Sequence, residues 1–332
     1  MGLLDQATRF GRWMAVFVVG TGTPAIAVAD GLGGTPLCEA SAVESLPCPD
    51  AVDRTCWIVA DNEVRDRLFA FDRRPDEGPA VETRRSFVVP RISDMEALAR
   101  TGAGDLLVYG SHSRNKRCRL RANRRVFERL HVAGGGFVSR ARVESPEIDW
   151  REAFGVRPEG VLARVAAVVE RGEAAADAGD CTRRLDIEAA AVVPGPGGAD
   201  TVWIGLRTPL VDGHAVLLRH DVDAGLRFVD ARLVDLGGAG IRGLDARDGR
   251  LYGLSALAGA GADDETGAFS LWRFATTALS ADEPIRVERL AEVPAKSEGL
   301  AVAGSRVLVV QDGDEGEPEC EQESRYTVVP LP

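Results

Sequence analysis

One motif occurs four times along the chain, and it constrains the fold more than any other feature. Each copy is a short strand of small residues, then a turn rich in Gly, Pro or Asp, then an apolar strand. The copies align on one polar residue each, namely Glu96, Glu188, Arg242 and Glu298. These positions are 92, 54 and 56 residues apart. Repeats of roughly 40–55 residues with four strands each are typical of β-propeller blades.

The remainder of each repeat also fits a blade. Segments 214–221 and 226–236 follow the apolar strand of one copy, and 269–274 and 286–293 follow that of the next. All four alternate between apolar and polar residues as strands do. The innermost strands of a propeller crowd around its axis, which explains the Ala and Gly in the first strands. The sequence therefore predicts an all-β protein with a β-propeller fold.

The spacing of 92 residues corresponds to one blade plus an insertion. Within that insertion, 145–185, apolar residues recur with helical periodicity between Val161 and Val169, so we expect a helix near 155–175. The last repeat lacks one strand, which the N-terminal segment can supply to close the ring. We expect a single domain over 38–331 with five blades, or six if part of 141–185 forms a blade. The expected blades are 38–92, 93–144, 186–237, 240–295 and 297–331.

The first 29 residues have the pattern of a secretory signal peptide. Arg9 and Arg12 precede an apolar stretch, and Ala27-Val28-Ala29 is a small-x-small cleavage pattern. An uncleaved membrane anchor is the alternative. We expect an exported protein, periplasmic or extracellular, with no membrane span in the mature chain. The net charge of −11 argues against nucleic acid as a partner, because the affinity of such binding comes mostly from neutralising phosphates. As a separate expectation, the mature protein is a monomer.

Six cysteines are consistent with export, because an even number in an oxidising compartment indicates disulfides. The chain contains no CxxC pair, and the cysteine spacings match no zinc finger. Cys118 follows the second strand of its blade and Cys181 precedes the first strand of the next, so both should lie at the same end of the propeller. We therefore predict a Cys118–Cys181 disulfide. Cys320 should pair with Cys38, Cys48 or Cys56, and the sequence does not choose among them.

Several stretches resemble a known family, and the resemblance covers roughly 38–331. The matching stretches are 39–42 (EASA), 59–63 (VADNE), 94–98 (DMEAL), 110–117 (GSHSRNKR), 186–189 (DIEA), 204–210 (IGLRTPL) and 240–245 (GIRGLD). They are similar to the bacterial domain-of-unknown-function family 3616, and the most specific are 110–117 and 204–210. This resemblance implies a propeller-type fold and brings no established activity. A looser similarity connects 298–301 (EGLA) to the esterase-like relatives of phytase.

Propeller topology should bring distant polar residues to one funnel-shaped mouth. In a blade, the first strand starts on the face where the second strand ends, and loops on such a face commonly carry function. The strand starts contribute Glu96, Glu188, Arg242 and Glu298. The strand ends contribute Asp61, His112, Arg114, Arg207 and Asp312.

These residue types indicate several kinds of chemistry. Glu96, Glu188 and Glu298 could supply oxygen ligands for Ca²⁺ or another divalent cation, with Asp61 or Asp312, and such a metal could activate a water. Forked guanidinium donors on Arg114, Arg207 and Arg242 suit a carboxylate or phosphate. His112 is the best-placed general acid or base among the histidines, and Glu96 and Glu188 are the other two catalytic candidates. The alternative is that Glu and Arg side chains only neutralise one another around the channel.

Two classes of function follow from this mouth. The first is binding of a small anionic or ester ligand, with metal-assisted hydrolysis of an ester or phosphoester if the protein is an enzyme. The second is a non-catalytic propeller scaffold that binds another protein or a cell-envelope component. Propellers host both classes, so the fold does not decide between them. The chain has no GxSxG, HExxH or P-loop motif.

Overall fold

A computed structural model describes residues 29–115, 117–144, 150–182, 184–195, 199–257, 268–313, 320 and 322–332. Residues 1–28, nearly all of the expected signal peptide, lie outside this range. The described residues include no helix that is both long and apolar enough to cross a membrane.

Five sheets, here called blades 1 to 5 in chain order, make up the fold. The strands of each blade are given from the inner to the outer one. Blade 1 contains Ala40–Cys48, Ala51–Asp61, Arg67–Arg73 and Pro79–Val88, and blade 2 contains Met95–Arg100, Leu106–Gly110, Val126–Ala133 and Gly136–Glu144. Blade 3 contains Asp186–Pro194, Asp200–Val211, His214–Asp221 and Arg227–Asp235, and blade 4 contains Ala239–Arg247, Arg250–Leu257, Phe269–Ala275 and Glu288–Val293. Blade 5 contains Ser297–Ala303, Arg306–Gln311 and Arg325–Pro330. Each inner strand contacts the inner strands of both neighbouring blades, so the ring is closed. The protein is a five-bladed β-propeller, as the repeat predicts.

The N-terminal segment closes the ring. Asp30–Gly31 pairs antiparallel with Arg325–Pro330 and becomes the outer strand of blade 5. Cys38, just beyond that strand, is disulfide-bonded to Cys320. Both ends of the domain are therefore fastened into the same blade.

Blade 3 takes an additional short strand from the connection within blade 4. Ile285–Arg286 runs parallel to the outer strand of blade 3 and pairs with Val234 and Asp235. Only Glu288–Val293 remains in blade 4. The single strand expected over 286–293 is therefore split between two blades.

The inner strands are rich in Ala and Gly because their backbones approach closely. A Cβ atom placed on Gly299 would lie 2.7 Å from the Cα of Ala42 in blade 1. Real side chains do not tolerate that distance, so a larger residue would push the two blades apart. This close approach is the crowding that the sequence pattern indicates.

Five hydrophobic clusters fill the five interfaces between neighbouring blades. The helix Gly160–Asp177 (α2), which the sequence predicts near 155–175, and the short helix Trp150–Ala153 (α1) belong to the interface of blades 2 and 3. In α2, Leu162, Val165 and Val169 form the buried stripe. Their spacing of three and four residues places them on one face of the helix.

Three disulfides fasten the described chain. The structure pairs Cys118 with Cys181, the pair expected from the order of the strands, and pairs Cys38 with Cys320. Cys48 and Cys56 form the third bond within blade 1. Cys118–Cys181 ties the loop after the second strand of blade 2 to the segment that follows α2.

Candidate functional site

Every inner strand carries a β-bulge at the same place near its start. The pairing with the second strand shifts register around one residue in each blade. Those residues, here called the mouth ring, are Ser41, Glu96, Glu188, Arg242 and Glu298. Bulges re-aim a side chain and recur next to functional sites. The sequence repeat identified four of the five positions; Ser41 was missed because its blade has no charged residue there.

Arg242 joins two of the ring carboxylates. Its guanidinium donates from Nη1 to Glu188 at 2.9 Å, and its Nη2 lies 3.0 Å from Glu298 Oε1. Arg207, in the second strand of blade 3, approaches Glu188 at 3.4 Å. Burial alone would raise the pKa of Glu188, but the charges of Arg242 and Arg207 outweigh it and hold that pKa below its ordinary value. Glu188 is therefore ionised at neutral pH.

The other two glutamates of the ring behave in the opposite way. Burial raises the pKa of Glu298 to about 8, although Arg242 opposes the shift. Burial, reinforced by the charge of Glu188, raises the pKa of Glu96 well above its ordinary value. Within the part of the chain that the structure describes, the carboxyl group of Glu96 makes no hydrogen bond or ion pair, and Glu298 Oε2 has no partner. The ring thus combines one carboxylate whose pKa is lowered with two carboxyl groups whose pKa values are raised.

A second circle of residues lies two positions before the ring, and includes Asp94, Asp186 and Gly240. Burial and the nearby charge of Glu188 raise the pKa of Asp186 to about 7. Asp94 pairs with Arg124 at 2.9 Å, an arginine that the sequence patterns did not single out. Gly240 is the reason Arg207 can reach the ring: a Cβ there would lie 2.2 Å from the carbonyl oxygen of Arg207.

A narrow cavity continues below the ring along the axis. Ser41, Glu96 and Glu188 line it together with apolar residues such as Leu98 and Leu300. Its volume is about 10 Å³, which is near the minimum for one water molecule. A larger ligand could therefore reach these glutamates only from the mouth.

A separate pair of buried acids lies on the inner strands of blades 1 and 4, three residues after the ring residues Ser41 and Arg242. Glu44 accepts hydrogen bonds from the backbone N–H groups of Ser45 at 2.7 Å and Arg100 at 3.1 Å. Asp245 accepts one from the backbone N–H of Val302 at 2.6 Å. Burial raises the pKa of Glu44 to about 8, with Asp245 adding to the shift, and raises that of Asp245 to about 6. We call Glu44 and Asp245 the far-end pair.

Arg114 does not line the mouth, contrary to the sequence expectation. Its guanidinium contacts Glu173 at 3.0 Å and Asp177 at 2.6 Å, both on α2, and donates to the carbonyl of Cys118 at 3.1 Å. The side chain is buried by these contacts. Arg114 therefore fastens the helix to blade 2 and has no face left for a ligand.

His112 is likewise placed away from the role expected for it. Burial, with the charge of Arg125 nearby, lowers the pKa of His112 to about 3. Only 1% of the residue is exposed. The imidazole is therefore neutral at pH 7 and closed off from solvent, and neither ring nitrogen has a hydrogen-bond partner among the described residues.

Asp61 has a structural role. Its carboxylate accepts hydrogen bonds from four backbone N–H groups, those of Cys38, Glu39, Glu63 and Val64, at 2.9 to 3.0 Å. The four bonds hold the N-terminal segment against the loop that follows blade 1's second strand. No oxygen of Asp61 remains for a ligand or a metal.

Asp312 lies beside the ring, and its charge contributes to the raised pKa of Glu298. The backbone N–H of Asp312 donates to the carbonyl oxygen of Lys296 at 2.9 Å, and the backbone of Asp312 pairs with that of Glu39 in an isolated antiparallel β-bridge. The structure therefore brings together Glu96, Glu188, Arg242, Glu298, Arg207 and Asp312. Arg114 and Asp61 are engaged in the contacts described above, and His112 is buried.

The expected divalent-cation site is not preformed among the described residues. The only trio of His, Cys, Asp and Glu there with ligand atoms within 4.8 Å of one another is Cys48, Cys56 and Asp72. Two of these are disulfide-bonded cysteines, which are not free to bind a metal. At the ring, the positive charge between Glu188 and Glu298 is the guanidinium of Arg242.

Comparisons with known proteins concern the fold. No protein-family model matches the chain, and no curated protein does. A levansucrase solved with sucrose is 8% identical with a TM-score of 0.49, over 91% of this chain and 86% of that one. A GH43 β-1,3-galactosidase solved with galactodeoxynojirimycin is 10% identical with a TM-score of 0.46, over 92% and 94%. A GH43 endo-arabinanase from Bacillus licheniformis is 9% identical with a TM-score of 0.46, over 91% and 96%. No residue role follows from similarities at this level.

Proposed function

We propose that this propeller is an exported hydrolase whose mouth ring cleaves a small ester or phosphoester by acid–base catalysis. One observation carries the proposal: Glu96 and Glu188 line the same cavity, yet their pKa values are shifted in opposite directions. Pairs of carboxyl groups whose environments separate their pKa values are the usual means of assigning acid and base. The three disulfides support export to an oxidising compartment.

The proposed reaction divides the work between the two glutamates. The ionised carboxylate of Glu188 accepts a proton from a water molecule, and the water oxygen attacks the carbonyl carbon or phosphorus. The bond to the leaving alcohol breaks, and Glu96 gives its proton to the departing oxygen. Arg207, which is less buried than Arg242, can contact the negative charge of the substrate or of the developing oxyanion.

The test is a panel of p-nitrophenyl esters and p-nitrophenyl phosphate with three variants. Glu96→Gln and Glu188→Gln should each lower kcat/KM about 100-fold or more, because each removes one partner of the proton transfer. Glu292→Gln, which changes a glutamate on the outer strand of blade 4 with a side chain that is 72% exposed, is the matched control. Thermal unfolding confirms that each variant is folded.

The pH dependence provides a second criterion. Activity should fall at low pH as Glu188 becomes protonated, and at high pH as Glu96 loses its proton. If both glutamine variants keep wild-type activity, or if no member of the panel is cleaved, the scaffold function becomes the better proposal. If EDTA abolishes activity and Ca²⁺ restores it, the metal-assisted alternative with Glu96, Glu188 and Glu298 as ligands is favoured.

A further inference from the structure

We propose that the protein has a second ligand site, a groove between α2 and residues 208–212 that binds a small organic anion with an apolar body. Residues 208–212 follow Arg207 at the end of the second strand of blade 3, and no residue of the mouth ring lines the groove. Its volume is about 670 Å³, within the usual range of small-molecule sites, about 300–1,000 Å³. The lining residues used below are Val168, Arg171, Gly172, Ala175, Pro209 and Leu210.

The walls of the groove are held in place by contacts that do not involve a ligand. The Cys118–Cys181 disulfide fixes the segment after α2, and Arg114 holds the end of the helix through Glu173 and Asp177. On the opposite wall, the hydroxyl of Thr208 donates to the carbonyl of Arg184 at 2.7 Å. A preformed groove lowers the ordering cost of binding.

The lining provides an apolar surface. Val168, Gly172 and Ala175 lie on one face of α2, and Pro209 and Leu210 face them. Gly172 stands inside the helix, where glycine is less favourable than alanine. Because Gly172 lines the groove, a large side chain at this position should occupy part of it.

Three charged side chains line the groove, and Arg171 differs from the other two. Asp180 accepts a hydrogen bond from the hydroxyl of Thr182 at 2.7 Å, and Asp212 faces Arg164 at 3.4 Å. Arg171, in contrast, makes no hydrogen bond or ion pair with any residue in the described part of the chain. A guanidinium with free donors binds carboxylate or phosphate in a bidentate manner. The lining therefore offers an anion the donors of Arg171 beside an apolar surface.

The ligand chemistry is thus an alkyl or aryl monoanion, with its charged group on Arg171 and its body on Pro209 and Leu210. Two sources share this chemistry, a carboxylate and a phosphate monoester. Octanoate and octyl phosphate represent them. Octylammonium has a similar apolar body with the opposite charge, and acetate has the charge without the body.

Isothermal titration of the full folded chain tests the site with these four probes. We expect octanoate or octyl phosphate to bind and to bind at least 10-fold more tightly than octylammonium and acetate. Whichever of octanoate and octyl phosphate binds more tightly identifies the head group, carboxylate or phosphate. Arg171→Gln should weaken that binding at least 10-fold, whereas Arg157→Gln, an exposed arginine outside the groove, should leave it unchanged.

Two further variants separate this site from the mouth. Gly172→Leu should abolish binding of the probe while thermal unfolding shows a folded protein; if it does not fold, Leu210→Glu, which places a negative charge in the groove, replaces it. Arg207→Gln should leave binding unchanged. No binding of either anion to the wild type, equal binding by Arg171→Gln, or loss of binding only in Arg207→Gln would overturn the proposal.

Discussion

The two ends of the axial channel both contain buried carboxyl groups, but different parts of the chain satisfy them. At the far-end pair, Glu44 and Asp245 are bound by backbone N–H groups. At the mouth ring, Glu188 and Glu298 are bound by arginine side chains, and an oxygen of Glu298 has no partner among the described residues. A raised pKa occurs at both ends. Among the described residues, a buried carboxyl oxygen without a partner occurs at the mouth ring and not at the far-end pair, and this difference distinguishes a candidate site from a structural one.

The largest expected effect comes from removing the charge that joins the mouth ring. Arg242→Met leaves Glu188 and Glu298 without their shared cation, and breaking a buried ion pair costs about 3–5 kcal/mol. Urea unfolding at pH 7 measures this loss. The matched variant Arg289→Gln breaks an exposed pair with Glu292 and should cost about 0.5 kcal/mol or less. Equal losses in the two variants would contradict the role of Arg242.

The next effect concerns the strand segment that brings Arg207 to the mouth. Gly240→Ala should displace this segment and lower the free energy of unfolding by about 1–3 kcal/mol, since the added Cβ meets the backbone of Arg207. The pKa of Glu188, measured by NMR, should rise because one of its two cations moves away. Gly136→Ala is the control, because its Cβ would meet no atom closer than 4.0 Å. An unchanged pKa of Glu188 would show that Arg207 does not set it.

The far-end pair should affect how stability depends on pH. The pKa of Glu44 is raised from 4.5 to about 8, so between these values the folded protein holds a proton that the unfolded chain has released. Stability contributed by this group is present below pH 4.5 and is lost as the pH rises toward 8. Glu44→Gln should reduce that slope by at most about 1.4 kcal/mol per pH unit, measured by urea unfolding from pH 5 to 8.

The slope is a better measure here than stability at one pH. The glutamine side chain also loses an acceptor for one of the two backbone N–H groups, which shifts the curve at every pH. Glu292→Gln, the exposed control, should leave the slope unchanged. Parallel curves for wild type and Glu44→Gln would show that Glu44 titrates near its ordinary pKa in the fold.

The sequence predicted the ring of charges because the repeat itself encodes it. Glu96, Glu188, Arg242 and Glu298 occupy equivalent bulges, so aligning the repeats aligned the site. Ser41 stands at the fifth position without a charge and escaped notice. The same alignment cannot tell which carboxyl group an arginine contacts, because Arg207 reaches Glu188 from an irregular part of its strand that the repeat does not describe.

Three predicted site residues, His112, Arg114 and Asp61, do not join the mouth ring. His112 and Arg114 lie in a loop whose position is set by α2 and the Cys118–Cys181 disulfide, and the blade pattern has no information on either. Asp61 lies at the end of its strand as expected, but its carboxylate is used by four backbone N–H groups. Glu44 was not predicted, because the repeat does not mark its position. Three residues after the ring position, only the inner strands of blades 1 and 4 carry an acid, Glu44 and Asp245.

The most direct test of the account is an NMR titration of the glutamate carboxyl carbons, with Glu96→Gln and Glu188→Gln assigning the two signals. The account predicts that Glu188 titrates below the ordinary value of 4.5 and that Glu96 titrates well above it. If Glu96 titrates at or below 4.5, or if Glu188 takes up its proton at a higher pH than Glu96, the assignment of acid and base is contradicted.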